Sequence, residues 1–405
     1  MFQDPKLPTT AEKSSGTGSS TLKSEPMYLF PDPWFVIYPL WFINASFCTS
    51  QHTTTVKNTR QIITFLPKLL HNSNKSRTFA STELVCIPLE LQASHFFILI
   101  MNQNPRTIQQ QIAILKSRGM AFSDENLATS YLTRISYFRL KYYWTDMIDV
   151  ATGHFSDDAS FDTVIQRYEF DKRLRSILFA AIEILEVGLR TKFITTISLA
   201  TNSGLWYLDS SLFDNQQFHE SVVLDMKTEF GRNSDPFVRK YIDEHPNWDK
   251  NSLSGDNPDA WMIFETATFG TLSKMYKNLK NQSPLKSRIA NELGLYSARD
   301  LSSWLEAISV LRNTIAHHSR IWYRIFSKKP TNIRGHRYKW MVQDMTEHQR
   351  KRAFGVISCL LYLCNAIKPD NTVKDDIKDL FCSMPDVPVF MIGFTRGWDN
   401  NPLWK

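Results

Sequence analysis

At 405 residues the chain is long enough for two or three domains, and its 42% apolar and 13% aromatic residues supply a sizeable core. The formal charge of +7 is a mild basic excess: it permits an anionic partner such as RNA and excludes a histone-like polycation. Five cysteines (Cys48, Cys86, Cys359, Cys364 and Cys382) with no Cys-x-x-Cys pair exclude a disulfide framework and a cysteine zinc site, and make a reducing compartment the expectation.

Residues 1–100 differ in texture from the rest. They hold eight Lys or Arg and six Asp or Glu, are rich in Ser, Thr and Pro, and keep no sustained helical or strand period. Their most apolar run, WFVIYPLWFINASF (34–47), is broken by Pro39 and Asn44 and falls short of the roughly 20 residues of a membrane span. No basic segment leads into an apolar run at the N-terminus, so no secretory signal is read and a cytoplasmic location is expected. Two readings stay open for 1–100: a disordered extension, or upstream DNA translated from a start codon placed too early. The crowding of Trp34, Phe35, Tyr38, Trp41 and Phe42 favours the second, because disordered tails are short of aromatics.

From Met101 onward the sequence is patterned for helix. TIQQQIAILKSRGM (107–120) repeats Ile108, Ile112 and Leu115 on one face and stops at Gly119. Ser123 and Asp124 can cap a second helix carrying Leu127, Tyr131 and Leu132. RISYFRLKYYW (134–144) is dense in Tyr and Arg, with helix and strand both open. The longest helical signal runs from 161 to about 200, with Ile177, Leu178, Ile182, Leu185 and Leu189 as its apolar stripe and Glu183, Glu186 and Arg190 beside it. A connection containing Pro236, Pro246, Gly255 and Pro258 is expected to mix short helices and loops. Helices are then expected over 260–279, over 298–318 with Leu301, Leu305, Ile308 and Leu311 inward, and over about 346–367, before an irregular tail. Cys359 and Cys364 fall on the apolar side of the last helix; His154, His219 and His245 lie in loops without metal-ligand spacing. The fold class is all-α, built around an antiparallel bundle.

The run LRNTIAHHSRIWYR (311–324) carries the chemistry. On a helix Asn313 and His317 share a face, while Arg312 sits about 140° from His317 and meets it only by its reach. A histidine can exchange a proton near neutral pH, an arginine can hold a phosphate and the charge of a pentacoordinate phosphorus, and Asn313 can orient either. Together they suit metal-free RNA cleavage by the ribose 2′-hydroxyl, with no cofactor. The same residues also fit an amphipathic helix whose terminal His317 and His318 favour the negative end of the helix dipole.

Six blocks in order resemble the Abi-like family of abortive-infection (phage-resistance) proteins, within the HEPN superfamily of helical ribonucleases and RNA-binding domains. They are QQIAILKSRGMAFSD (110–124), YLTRISYFRLKYYW (131–144), FDKRLRSILFAAIEILEVGLRT (170–191), AWMIFETATFGTLSKMY (260–276), SWLEAISVLRNTIAHHSRIWYR (303–324) and MIGFTRGWDNNPLW (391–404). The resemblance implies an Abi-like domain over 101–405, with a HEPN-like bundle core over about 160–368 and helical and irregular additions. It places the active site on Arg312, Asn313 and His317. His318, Arg320, Arg324, Arg139, Arg190 and Glu186 are candidate substrate contacts. It implies an RNA substrate, an abortive-infection role and a homodimer, since HEPN nucleases pair two motifs across one cleft and this chain shows one. An antitoxin, protein or RNA, is a possible partner; the alternative is a non-catalytic RNA-binding or regulatory protein on the same fold. One departure is visible: the family commonly carries Asn after the Trp of its Arg-x-Trp element, and here Tyr323 stands there.

Overall fold

The computed structural model describes residues 105–405, so the expectations for 1–100 lie outside it. The chain divides into two units, residues 1–117 and 118–405. In the first, α1 (Ile108–Ser117) begins with reciprocal Thr107–Gln110 capping and buries Ile112 and Leu115, the face that the spacing predicted.

The second unit is helical, and its described residues contain isolated β-bridges but no strand. Asp124 caps α2 (Glu125–Ile135), as expected. Ser136 then takes a left-handed φ of 68° and caps the short α3 (Tyr137–Leu140), which runs into 3₁₀ turns over Lys141–Tyr143 and Thr145–Met147. The Tyr/Arg-rich block is thus a string of tight helical turns, not a strand.

Helix α4 (Phe161–Thr201) is the spine, 41 residues and therefore about 60 Å long. Ser160 caps its start and Asn202, left-handed at φ 50°, ends it. Phe170, Leu174, Leu178, Leu185, Leu189 and Phe193 are fully buried along one side. The connection after α4 is more regular than its prolines suggested. It holds a 17-residue helix, α5 (Gln216–Arg232), capped by Asn215, before α6 (Pro236–Glu244). His219 belongs to α5 and not to a loop; it is buried and stacks on Phe213 at 4.1 Å.

Two expected single helices are broken. The 260–279 segment forms α7 (Ala260–Thr266) and α8 (Phe269–Asn278) because Thr268 turns extended and caps the second piece, its own N–H donating to Glu229. After α9 (Pro284–Glu292) and α10 (Ala298–Ala316), the 346–367 segment splits into α11 (Glu347–Lys351) and α12 (Ala353–Ile367). There the Lys351 carbonyl accepts from Phe326 N–H, and Arg352 is extended at φ −100°, ψ 177°. Helix α13 (Val373–Ser383) was not foreseen.

Helices α7, α9, α10, α12 and α13 all pack on α4. From Ala353 to Cys364 every residue of α12 is buried, Cys359 and Cys364 included. A Cβ at Gly188 would lie 2.4 Å from the Ile367 side chain, so glycine there allows α12 its close approach to α4. The irregular tail closes the core: Trp404 is fully buried, with its ring 5.4 Å from Phe394 and its indole N–H donating to Ser358. Trp404→Ala is expected to cost about 3–5 kcal/mol in urea unfolding; a change under about 1 kcal/mol would show the tail to be an appendage.

Candidate active site

Helix α10 presents the motif. Ser297 caps it, and Leu301, Trp304, Leu305, Ile308 and Leu311 are fully buried, so the helical period turns Asn313 and His317 outward on one exposed face. Neither side chain has a hydrogen-bond partner among the described residues. The helix ends in a Schellman turn: His318 N–H donates to the Ile315 carbonyl, Ser319 N–H to that of Thr314, each at 2.8 Å, and His318 is left-handed at φ 53°. The adjacent histidines therefore have different surroundings. His317 ends the helix with its imidazole exposed, and His318 supplies the reversal of the chain.

The segment after the turn is held by one carboxylate. Asp171, on α4, is fully buried and accepts from the backbone amides of Ile321 (3.0 Å) and Trp322 (2.8 Å), from the Tyr143 hydroxyl (2.7 Å) and from Arg175. Burial pushes the Asp171 carboxyl up, while Arg175, Tyr143 and the two amides oppose that rise. Burial and the neighbouring Asp171 charge push the Tyr143 phenol well above its ordinary value. The Tyr/Arg block completes the clamp. Arg139 donates to the His318 carbonyl, Arg320 donates to the Trp322 carbonyl and lies 4.4 Å over the Tyr142 ring, and Arg167 lies 5.2 Å over Trp322. Lys141, 3.9 Å over the Phe138 ring, is lowered to about 8 by burial and then by Arg320.

Arg312 points the other way around the helix. Its Nε lies 3.9 Å from Glu186 of α4, whose other oxygen pairs with Arg190 at 3.3 Å; Arg190 also reaches Glu265 and the Ala267 carbonyl. The Glu186 and Arg190 side chains are only 18% and 12% exposed, so this pair is not a solvated helix face. Phe179 stands on α4 seven residues before Glu186, about 20° off the same stripe, and its ring is 53% exposed.

The structure thus brings Arg312 together with Glu186 and Arg190, and Arg139 with His318 and Arg320. The Arg324 guanidinium lies over the Phe326 ring at 5.9 Å. Asp171 and Tyr143 escaped the sequence reading; the available signal was a lone carboxylate in line with Leu174 and Leu178 on an otherwise apolar stripe. Tyr323 is left-handed at φ 50°, the region in which asparagine is favoured, so the Asn expected after Trp322 suits this backbone; Tyr323 occupies it with its ring against Arg352 at 4.4 Å. Among the described residues no three His, Cys, Asp or Glu side chains form a metal cluster, and no helix is long and apolar enough to cross a membrane.

The segment that builds this arrangement has a family counterpart. Residues 130–323 match the model of the Abi-like protein family. That span runs from within α2 to the residue after Trp322 and contains both sides of the Asp171 clamp, the Glu186–Arg190 pair and the whole motif. No curated protein and no solved structure matches the chain.

Asp171→Asn keeps the volume but leaves Arg175 without its counter-ion and sets an amide NH₂ against backbone donors. A loss of about 3–5 kcal/mol in chemical denaturation is expected, and a loss under about 1 kcal/mol would show that the clamp is not structural. His318→Gly relieves a left-handed side-chain residue and is expected to stabilise by about 1 kcal/mol in the same assay; destabilisation would mean that the imidazole makes a contribution of its own.

Proposed function

We propose that this protein is an abortive-infection phage-defence protein of the HEPN class that cleaves RNA without a metal. The observation that carries the reading is the end of α10: Asn313 and His317 lie exposed on one face, Arg312, turned the other way around the helix, is held by Glu186, and the following segment is clamped by Asp171, all inside the Abi-like match.

In this reading His317 takes the proton from a ribose 2′-hydroxyl, the 2′-oxygen bonds to the neighbouring phosphorus, and the P–O5′ bond breaks. The departing 5′-oxygen takes a proton from an imidazolium, and the products are a 2′,3′-cyclic phosphate and a 5′-hydroxyl. Arg312 binds the phosphate and the charge that builds on it, while Asn313 orients phosphate or imidazole. Glu186 acts as a positioning residue, because its paired carboxylate aims Arg312. Arg139, Arg190, His318, Arg320 and Arg324 would contribute positive charge or polar contacts along the RNA.

One chain supplies a single His317, so acid and base come from two copies of the chain. The exposed Phe179 and Val187 (53% and 54%) on the Glu186 side of α4 suit a homodimer that brings two motifs to one cleft. An antitoxin, protein or RNA, would act by covering that cleft.

The test is RNA cleavage by the purified full-length protein in EDTA, beside His317→Ala. The reading expects cleavage by wild type, loss of at least about 100-fold in the variant, and unchanged RNA binding. Equal cleavage by the variant would remove His317 from the chemistry. RNA binding without cleavage by either protein would favour a non-catalytic RNA-binding protein on the same fold.

A further inference from the structure

A second feature lies on α9, the helix that precedes α10 and packs on it. A cavity of about 390 Å³, open to solvent, is lined by Pro284, Ser287, Arg288, Asn291, Glu292 and Arg337. Its single acid is already neutralised. One Glu292 oxygen pairs with Arg288 at 3.2 Å, and the other faces Lys192 at 3.7 Å and the Thr196 hydroxyl at 3.4 Å. The Arg337 guanidinium has no partner among the described residues. Ser287 and Asn291, one turn apart on α9, add neutral donors on the same wall.

The loop that delivers Arg337 is held rigidly. Arg337 N–H donates to the Gly294 carbonyl at 2.9 Å, which also accepts from the Tyr362 hydroxyl at 2.7 Å, and Leu295 bridges His336. Gly294 is left-handed at φ 79°, and a Cβ there would lie 2.5 Å from the Tyr338 ring, so this approach needs glycine. Trp340, two residues after Tyr338, is buried against Trp304 at 4.9 Å. Arg334 and Lys339, close to Arg337 in the chain, are exposed, and Arg334 faces Asp344 at 3.6 Å. An unpaired guanidinium on a fixed loop, set over a charge-compensated floor with neutral donors, is suited to a planar-fork contact with a phosphate.

We propose that this groove is an anion site that binds a phosphate group, carried by a free nucleotide or by an RNA strand, separate from the α10 end where His317 lies. The inference does not depend on RNA cleavage, because it is read by binding alone.

The test measures binding of pyrophosphate, ADP and a short fluorescein-labelled RNA to full-length wild type, Arg337→Glu and Arg337→Lys. Arg337→Glu is expected to weaken pyrophosphate binding by about tenfold or more, with Arg337→Lys intermediate. Parallel loss for ADP assigns the site to a free nucleotide, and loss for RNA with little ADP affinity assigns it to strand phosphates. Arg337 is exposed, so its variants are expected to fold, and matching circular dichroism checks this. Wild-type affinity for all three probes in Arg337→Glu, or no binding of any probe by the wild type, would overturn the proposal.

Discussion

A fully buried carboxylate is costly to remove from water, by several kcal/mol even after relaxation, and it persists only when each of its lone pairs is used. Asp171 meets that condition by drawing on three parts of the chain: Arg175 of its own helix, Tyr143 of the 3₁₀ turn, and the amides of Ile321 and Trp322. The requirement to satisfy this one group fixes where the chain goes after α10. That path sets the Schellman turn at His318, and the turn leaves His317 outside with its imidazole exposed. The end of the motif helix is therefore determined from α4, by a residue that contacts none of Arg312, Asn313 and His317.

Much of the scaffold was legible because its signals are periodic. The stripe from Leu178 to Leu189 marked α4, Asp124 marked a cap, and the spacing of Leu301, Leu305, Ile308 and Leu311 marked the buried side of α10 and hence the exposed side that carries Asn313 and His317. What escaped depends on contacts between distant segments. The break between α11 and α12 follows from Phe326 N–H taking the Lys351 carbonyl, and the break at Thr268 follows from Glu229. The regular length of α5 was hidden by the prolines that come after it. Asp171 was visible only as a charge out of place on an apolar stripe.

The candidate site was legible in part, for a similar reason. Helical geometry put Asn313 with His317 and set Arg312 aside from them, and the chain does use Arg312 in another direction, toward Glu186. Spacing within α4 could pair Glu186 with Arg190 but could not tell a solvated pair from one held between two helices. The Arg/Tyr block could be read as an RNA surface or as packing. Its Arg139, with Arg320 of the motif run, grips the carbonyls of His318 and Trp322, so any part they take in binding RNA is added to a structural one.

In the proposed reading two sites handle phosphate, the His317 end of α10 and the groove between α9 and the Arg337 loop, each held by contacts to buried parts of the fold. Internal attack of the 2′-hydroxyl is the chemistry proposed for the His317 end. It is tested most directly by the chemistry of the new ends in RNA incubated with the purified protein. Attack by the 2′-hydroxyl leaves 2′,3′-cyclic phosphate and 5′-hydroxyl termini; 3′-hydroxyl and 5′-phosphate termini, or intact RNA, would rule it out.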